Sequence, residues 1–145
     1  MRVFVDANIL VSVLNKEYPL FTLSSRILSL AGTSGFEVFT SPICLAIAFY
    51  FAEKKHKTKQ AKAKIKLLSE HLLIAETTDR AVQQALQNPK INDFEDGLEY
   101  YAAIEKKCQC IITEDVQDFY FSDIEVVNCQ SFFDRYMKSK KPFND

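Results

Sequence analysis

The chain has 145 residues, 48% of them apolar, with four cysteines and a formal net charge of −1. That length fits one domain with its own core, and the composition excludes a disordered chain, a collagen-like repeat and a disulfide scaffold. The small net charge conceals a segregation: residues 54–66 carry seven lysines and no acid, whereas residues 93–125 carry ten acids against two lysines. A basic strip and an acidic cluster in one small domain suggest a polyanion-binding surface beside a metal site.

In chain order, Arg2 to Val5 is a β-branched and aromatic run that ends at Asp6, and residues 7–15 follow with helical character. Apolar residues at 23, 27, 28 and 30 predict a helix over 22–30, closed by Gly32 and Gly35. Residues 36–39 read as a second strand. Ser41 is an N-cap with Pro42 at the first helical position, opening an apolar helix over 43–54. A lysine-rich helix covers 57–70, a third strand 72–75, and a helix 81–87 stops at Asn88-Pro89. Asn92 with Glu95 resembles a capping box ahead of a helix over 93–107. Strands at 110–113 and 126–128 and a helix at 131–138 complete the pattern. Strands alternating with helices predict a three-layer α/β/α sandwich around a mainly parallel sheet of about five strands. We read residues 1–138 as a single domain and 139–145, SKKPFND, as a frayed tail.

The longest apolar run, Ile43 to Ala52, falls well short of the roughly twenty residues a membrane span needs. No basic leader or cleavage site precedes Asp6, so we expect no signal peptide and a cytoplasmic location. Cys44, Cys108, Cys110 and Cys129 lack zinc spacing and read as buried, reduced thiols. With only three glycines there is no nucleotide-cradling loop.

Three acidic positions fall after strands or at a helix start: Asp6, the Asp93/Asp96 pair, and Asp115 with Asp118. In a parallel sheet such positions can meet at one edge. Aspartates without His or Cys favour a hard divalent cation, Mg²⁺ or Mn²⁺, over zinc. Each acid also has an ordinary structural role open to it. Asp6 could cap the next helix, Asp93 and Glu95 could complement a helix dipole, and Asp118 could serve a turn. Asp96 borders the apolar stripe of Phe94, Tyr100, Tyr101 and Ile104, where an uncompensated carboxylate would be desolvated, so a functional role is favoured there. Glu99 falls on the outer face with Glu95 and Lys106 and, like Glu105, Asp123 and Glu125, reads as a solvated charge.

VFVDANIL at 3–10 and DFEDGLEYYAAIEKKCQCIITEDVQDF at 93–119 resemble PIN-domain proteins, and nearest the VapC-like toxin components of bacterial toxin–antitoxin pairs. The likeness covers nearly the whole chain. D-x-N after a first strand is a weak signal alone. More specific is the acidic helix that leads, seventeen residues after Asp96, to a strand ending in T-x-[DN]-x-x-D-F. The resemblance implies that Asp6, Asp96 and Asp115 hold a metal, with Asn8, Asp93, Thr113 and Asp118 in support. It implies a metal-dependent ribonuclease whose products carry a 5′-phosphate and a 3′-hydroxyl. An antitoxin that covers the acids with a basic residue, and a homodimer, would be its protein partners.

One departure stands out. The family carries a glutamate in the helix after the second strand, in a pattern like S-P-x-x-L-A-E; here Ser41 to Ile47 reads SPICLAI, with isoleucine in its place. Glu53 is about two turns further on and a poor substitute. A degenerate PIN domain that binds RNA or protein without cutting is therefore the competing reading. Gly97, where alanine is common, reads as a minor change. The lysine strip is either a solvated face or an RNA contact, with Lys54, Lys55, Lys57 and Lys59 the candidates. A phospho-acceptor receiver domain fails because Asp6 lacks an adjacent acid and the third strand ends in Glu76. A haloacid-dehalogenase-like phosphatase fails because DANIL is not D-x-D-x-T.

Overall fold

A computed structural model describes residues 1–137. Five parallel strands form one sheet in the order β3-β2-β1-β4-β5. They are β1 (Arg2–Val5), β2 (Glu37–Thr40), β3 (Leu73–Ile74), β4 (Cys110–Ile112) and β5 (Glu125–Val127). Among the described residues seven helices flank the sheet: α1 (Ala7–Leu14), α2 (Leu20–Ser29), α3 (Pro42–Lys55), α4 (Thr58–His71), α5 (Asp79–Gln87), α6 (Phe94–Glu105) and α7 (Cys129–Tyr136). The predicted architecture holds. The expected tail at 139–145 lies outside the described residues, as does Lys138, where the last helix was expected to end.

β1 is the central strand, and Val3, Phe4 and Val5 are fully buried, as expected for a strand covered on both faces. Phe4 pairs in register with Phe39 of β2 and with Ile111 of β4. From β1 the chain first builds β2 and β3 on one side, then returns to lay β4 and β5 on the other. The strand order therefore reverses beside β1. At such a reversal the connections leave in opposite directions, and a crevice opens at the carboxyl ends of the strands. Asp6 follows β1 directly, and Thr113 follows β4.

Element boundaries shift for identifiable reasons. Ser41 caps α3, its hydroxyl accepting from the Cys44 amide at 3.2 Å. α6 is capped by Asp93 rather than Asn92: the Asp93 carboxylate accepts from the Asp96 amide at 3.0 Å. β3 shrinks to Leu73–Ile74 because the Leu72 amide still serves the end of α4, bonding the Leu68 carbonyl at 2.9 Å. Gly97 is more than a minor change. A Cβ there would stand 3.0 Å from Ala85 Cβ and from Ile91 Cγ2, so its absence lets α6 lie close on α5. All four cysteines are buried and unbridged, and burial pushes the Cys108 and Cys110 thiols up to about 12.

Candidate active site

An open cavity of about 460 Å³ lies at the carboxyl ends of β1 and β4. Asp6 forms part of its floor with Asn8, while Asp93, Glu95 and Asp96 enter from the start of α6. Asp115 and Asp118 come from the 3₁₀ turn after β4, and Glu17, Val11, Ile47 and Phe51 complete the wall. Among the described residues no Lys, Arg or His lines it. The expected gathering of Asp6, Asp96 and Asp115 at one edge is thus observed, together with Asn8, Asp93 and Asp118.

A hydrogen-bond network fixes the floor. Asp6 is 8% exposed; its Oδ1 accepts from the Ala7 amide at 2.6 Å and its Oδ2 from the Thr113 hydroxyl at 2.8 Å. Asp6 therefore does interact with the first turn of α1, while its charge still borders the cavity. The Thr113 hydroxyl accepts in turn from Asn8 Nδ2 at 3.0 Å and from the Asp115 amide at 3.0 Å. Asn8 Nδ2 also donates to Asp115 Oδ2 at 3.1 Å, and its Oδ1 accepts from the Glu114 amide at 3.3 Å. Thr113 is fully buried and uses its one donor and both lone pairs. Thr113→Val, which keeps the shape and removes the hydroxyl, strands a buried carboxylate oxygen. We expect a loss of about 1–3 kcal/mol in urea unfolding.

A carboxyl group that is partly buried among other acids holds its proton more tightly. The Asp96 carboxyl is pushed up to about 7, chiefly by burial and then by the charges of Asp93, Asp6, Asp118 and Glu95. Glu95 is raised by partial burial and the charges of Asp93 and Asp6. Hard oxygen donors facing a space with no basic residue fit a divalent cation such as Mg²⁺ or Mn²⁺.

Glu99 corrects the sequence reading. It is 1% exposed, not solvated, because α6 is enclosed by α5 on one side and α3 on another. The signal that could have placed it is the pair of small residues Ala102 and Ala103, one turn on from Glu99, which marks a second close-packed face. A carboxylate oxygen of Glu99, one of Asp6 and the Cys44 Sγ all lie within 4.8 Å of one another. Burial, reinforced by the Asp6 charge, holds the Glu99 carboxyl well above the ordinary range. Burial likewise raises the Cys44 thiol, with Glu99 and Asp6 adding to it.

The lysine candidates stand apart from the cavity. Lys54 Nζ lies 4.1 Å from the Tyr50 ring centroid and 5.6 Å from that of Phe51, which lines the cavity. Lys55 donates to the Asn15 carbonyl. Lys57 precedes α4 as its N-cap residue and Lys59 is exposed on α4, so neither reaches the wall.

A parallel sheet whose strand order reverses, with an acidic cavity at the reversal, defines a doubly wound α/β domain. The model of the PIN domain matches residues 2–117, and the chain belongs to that family. It is 27% identical over 139 residues to ribonuclease VapC1 of Aquifex aeolicus, covering 93% of this chain and 95% of that protein. Two solved structures share the fold. VapBC2 from Rickettsia felis, bound to a DNA fragment from its promoter, superposes with a TM-score of 0.67 at 20% identity, covering 88% of this chain and 98% of that one. The sarcin–ricin-loop-cleaving toxin VapC20 of Mycobacterium tuberculosis gives 0.63 at 18%, covering 85% and 98%.

Proposed function

We propose that the chain is a metal-dependent endoribonuclease, using Mg²⁺ or Mn²⁺, and the toxin of a toxin–antitoxin pair. The observation that carries this reading is the meeting of Asp6, Asp96 and Asp115 on one cavity that no base lines among the described residues. The likeness to a protein named ribonuclease, over nearly all of both chains, supports it.

Asp6, Asp96 and Asp115 would hold the ion. When bound, it supplies an activated water for in-line attack and neutralises charge on the phosphate oxygens. Thr113 keeps both Asp6 and Asp115 in place, and Asn8 ties Asp115 to the floor. Asp93 acts by capping α6, which fixes the rise of the helix that carries Asp96. Lys54, stacked beside Phe51 at the rim, is the best placed lysine to meet an RNA phosphate. Lys55 is occupied by a carbonyl, and Lys57 and Lys59 contribute at most to the surrounding field.

The acidic cavity also suits a basic side chain of an antitoxin, and structural neighbours include complexes described as VapBC. We place the protein in the cytoplasm, acting on RNA there, as a homodimer. No helix among the described residues is long and apolar enough to cross a membrane.

The test is incubation of the purified chain with labelled single-stranded RNA. Cleavage that stops on chelation and leaves 5′-phosphate and 3′-hydroxyl ends is expected. Binding of RNA without cleavage at any Mg²⁺ or Mn²⁺ concentration overturns the enzyme and leaves the binding module, the reading that Ile47 in the cavity wall favours.

A further inference from the structure

Glu99 lies one turn beyond Asp96 on α6, beside Asp6 and outside the lining of the open cavity. Its Oε2 is buried and has no hydrogen-bond partner, although the side chain is almost completely enclosed. The nearest titratable groups are an acid and a thiol, Asp6 and Cys44. A buried carboxyl group whose oxygen has no partner, with no cation beside it among the described residues, is open to a ligand that completes it. α3 contributes Ile47 and Phe51 to the cavity lining, and neither side chain carries an oxygen.

We propose that Glu99 is a ligand of the cation centre, reached through Asp6, the two carboxylates standing close enough to hold one ion. α6 then supplies two carboxylates, Asp96 at the mouth and Glu99 beside Asp6, where α3 supplies none. An ion touching both Asp6 and Glu99 would sit at the floor of the cavity. Cys44 borders this place but is a soft donor in a set of hard oxygens, and it is a neighbour rather than a ligand for Mg²⁺ or Mn²⁺. The inference rests on the metal-dependent reading above and adds to it a residue outside the aspartates.

The experiment is Mn²⁺ titration of the purified chain without RNA, with free Mn²⁺ read by electron paramagnetic resonance. Glu99→Gln is expected to weaken binding by at least about tenfold, since even groups that only support a ligand cost that much. Its circular dichroism spectrum should not change. Ile47→Glu added to Glu99→Gln should recover most of the affinity, because position 47 lines the cavity that Asp6 borders. Cys44→Ala should stay within about twofold of wild type, since the thiol is not counted among the ligands. Should Glu99→Gln misfold, Glu99→Met, of similar volume and uncharged, gives the same reading.

Wild-type affinity in Glu99→Gln overturns the inference, as does a loss that Ile47→Glu leaves unrepaired. Binding lost in Asp96→Asn but kept in Glu99→Gln removes this inference alone. A wild-type chain that takes up no Mn²⁺ removes the metal-dependent reading with it.

Discussion

Asp6→Asn and Asp96→Asn are each expected to lower cleavage of single-stranded RNA by at least about a hundredfold, the upper range for removing a mere supporting group. Both substitutions keep the side-chain volume. In Asp6→Asn the amide oxygen can still accept from Ala7 or Thr113, so the floor remains assembled while a negative charge is lost. In Asp96→Asn the backbone amide still bonds the Asp93 cap, so the start of α6 is preserved. The effect should therefore fall on ion binding and rate, not on the fold. Gel assays at saturating Mn²⁺, paired with circular dichroism, read the two separately. Asp118→Asn is the comparison: Asp118 lines the cavity and adds to the field at Asp96, but the reading gives it no ligand role. Undiminished cleavage in both Asp6→Asn and Asp96→Asn would sink the proposed chemistry.

The sheet was legible because each strand is a short apolar run ended by a polar or turn residue. β1 is the clearest case: Val3-Phe4-Val5 can only be a strand buried on both faces, and Asp6 breaks it. From a parallel alternation the switch point follows, and with it the meeting of the ends of β1 and β4. The network around Thr113 was less legible. It needs β1 and β4 to be direct neighbours in register, with Val5 opposite Ile112, so that side chains 107 residues apart can bond. Glu99 was misread because a helical wheel with one apolar stripe assumes a helix with one covered side. α6 has two: the stripe that includes Gly97 lies on α5, and the side that carries Glu99 with Ala102 and Ala103 is covered as well, beside Asp6 and Cys44. The cap at Asp93 shows the same limit: Asn92 and Asp93 are both good caps by type, and only the backbone decides between them.

The last prediction concerns pH. Asp96 takes up its proton near 7, against an ordinary carboxylate value of about 4, and burial is the first cause, ahead of its acidic neighbours. A cation must displace that proton, and that of Glu99 where this carboxyl joins the set, so apparent Mn²⁺ affinity is expected to fall at least about tenfold per pH unit below about 7. The stability linkage runs the opposite way in the ion-free chain. With the folded-state value raised above the unfolded one, the folded chain binds the proton more tightly. The stabilising contribution is complete below the unfolded value and is lost as pH rises towards 7. Asp96→Asn should therefore melt higher than wild type at pH 8 in a chelator, and the two should converge as pH falls towards 4. Saturating Mn²⁺ at pH 8 should reverse the order, because the ion stabilises only the chain that binds it. Melting curves at pH 5, 6.5 and 8, with chelator and with Mn²⁺, distinguish a carboxylate strained by its neighbours from one that is simply solvated. A solvated carboxylate would show neither the convergence nor the reversal.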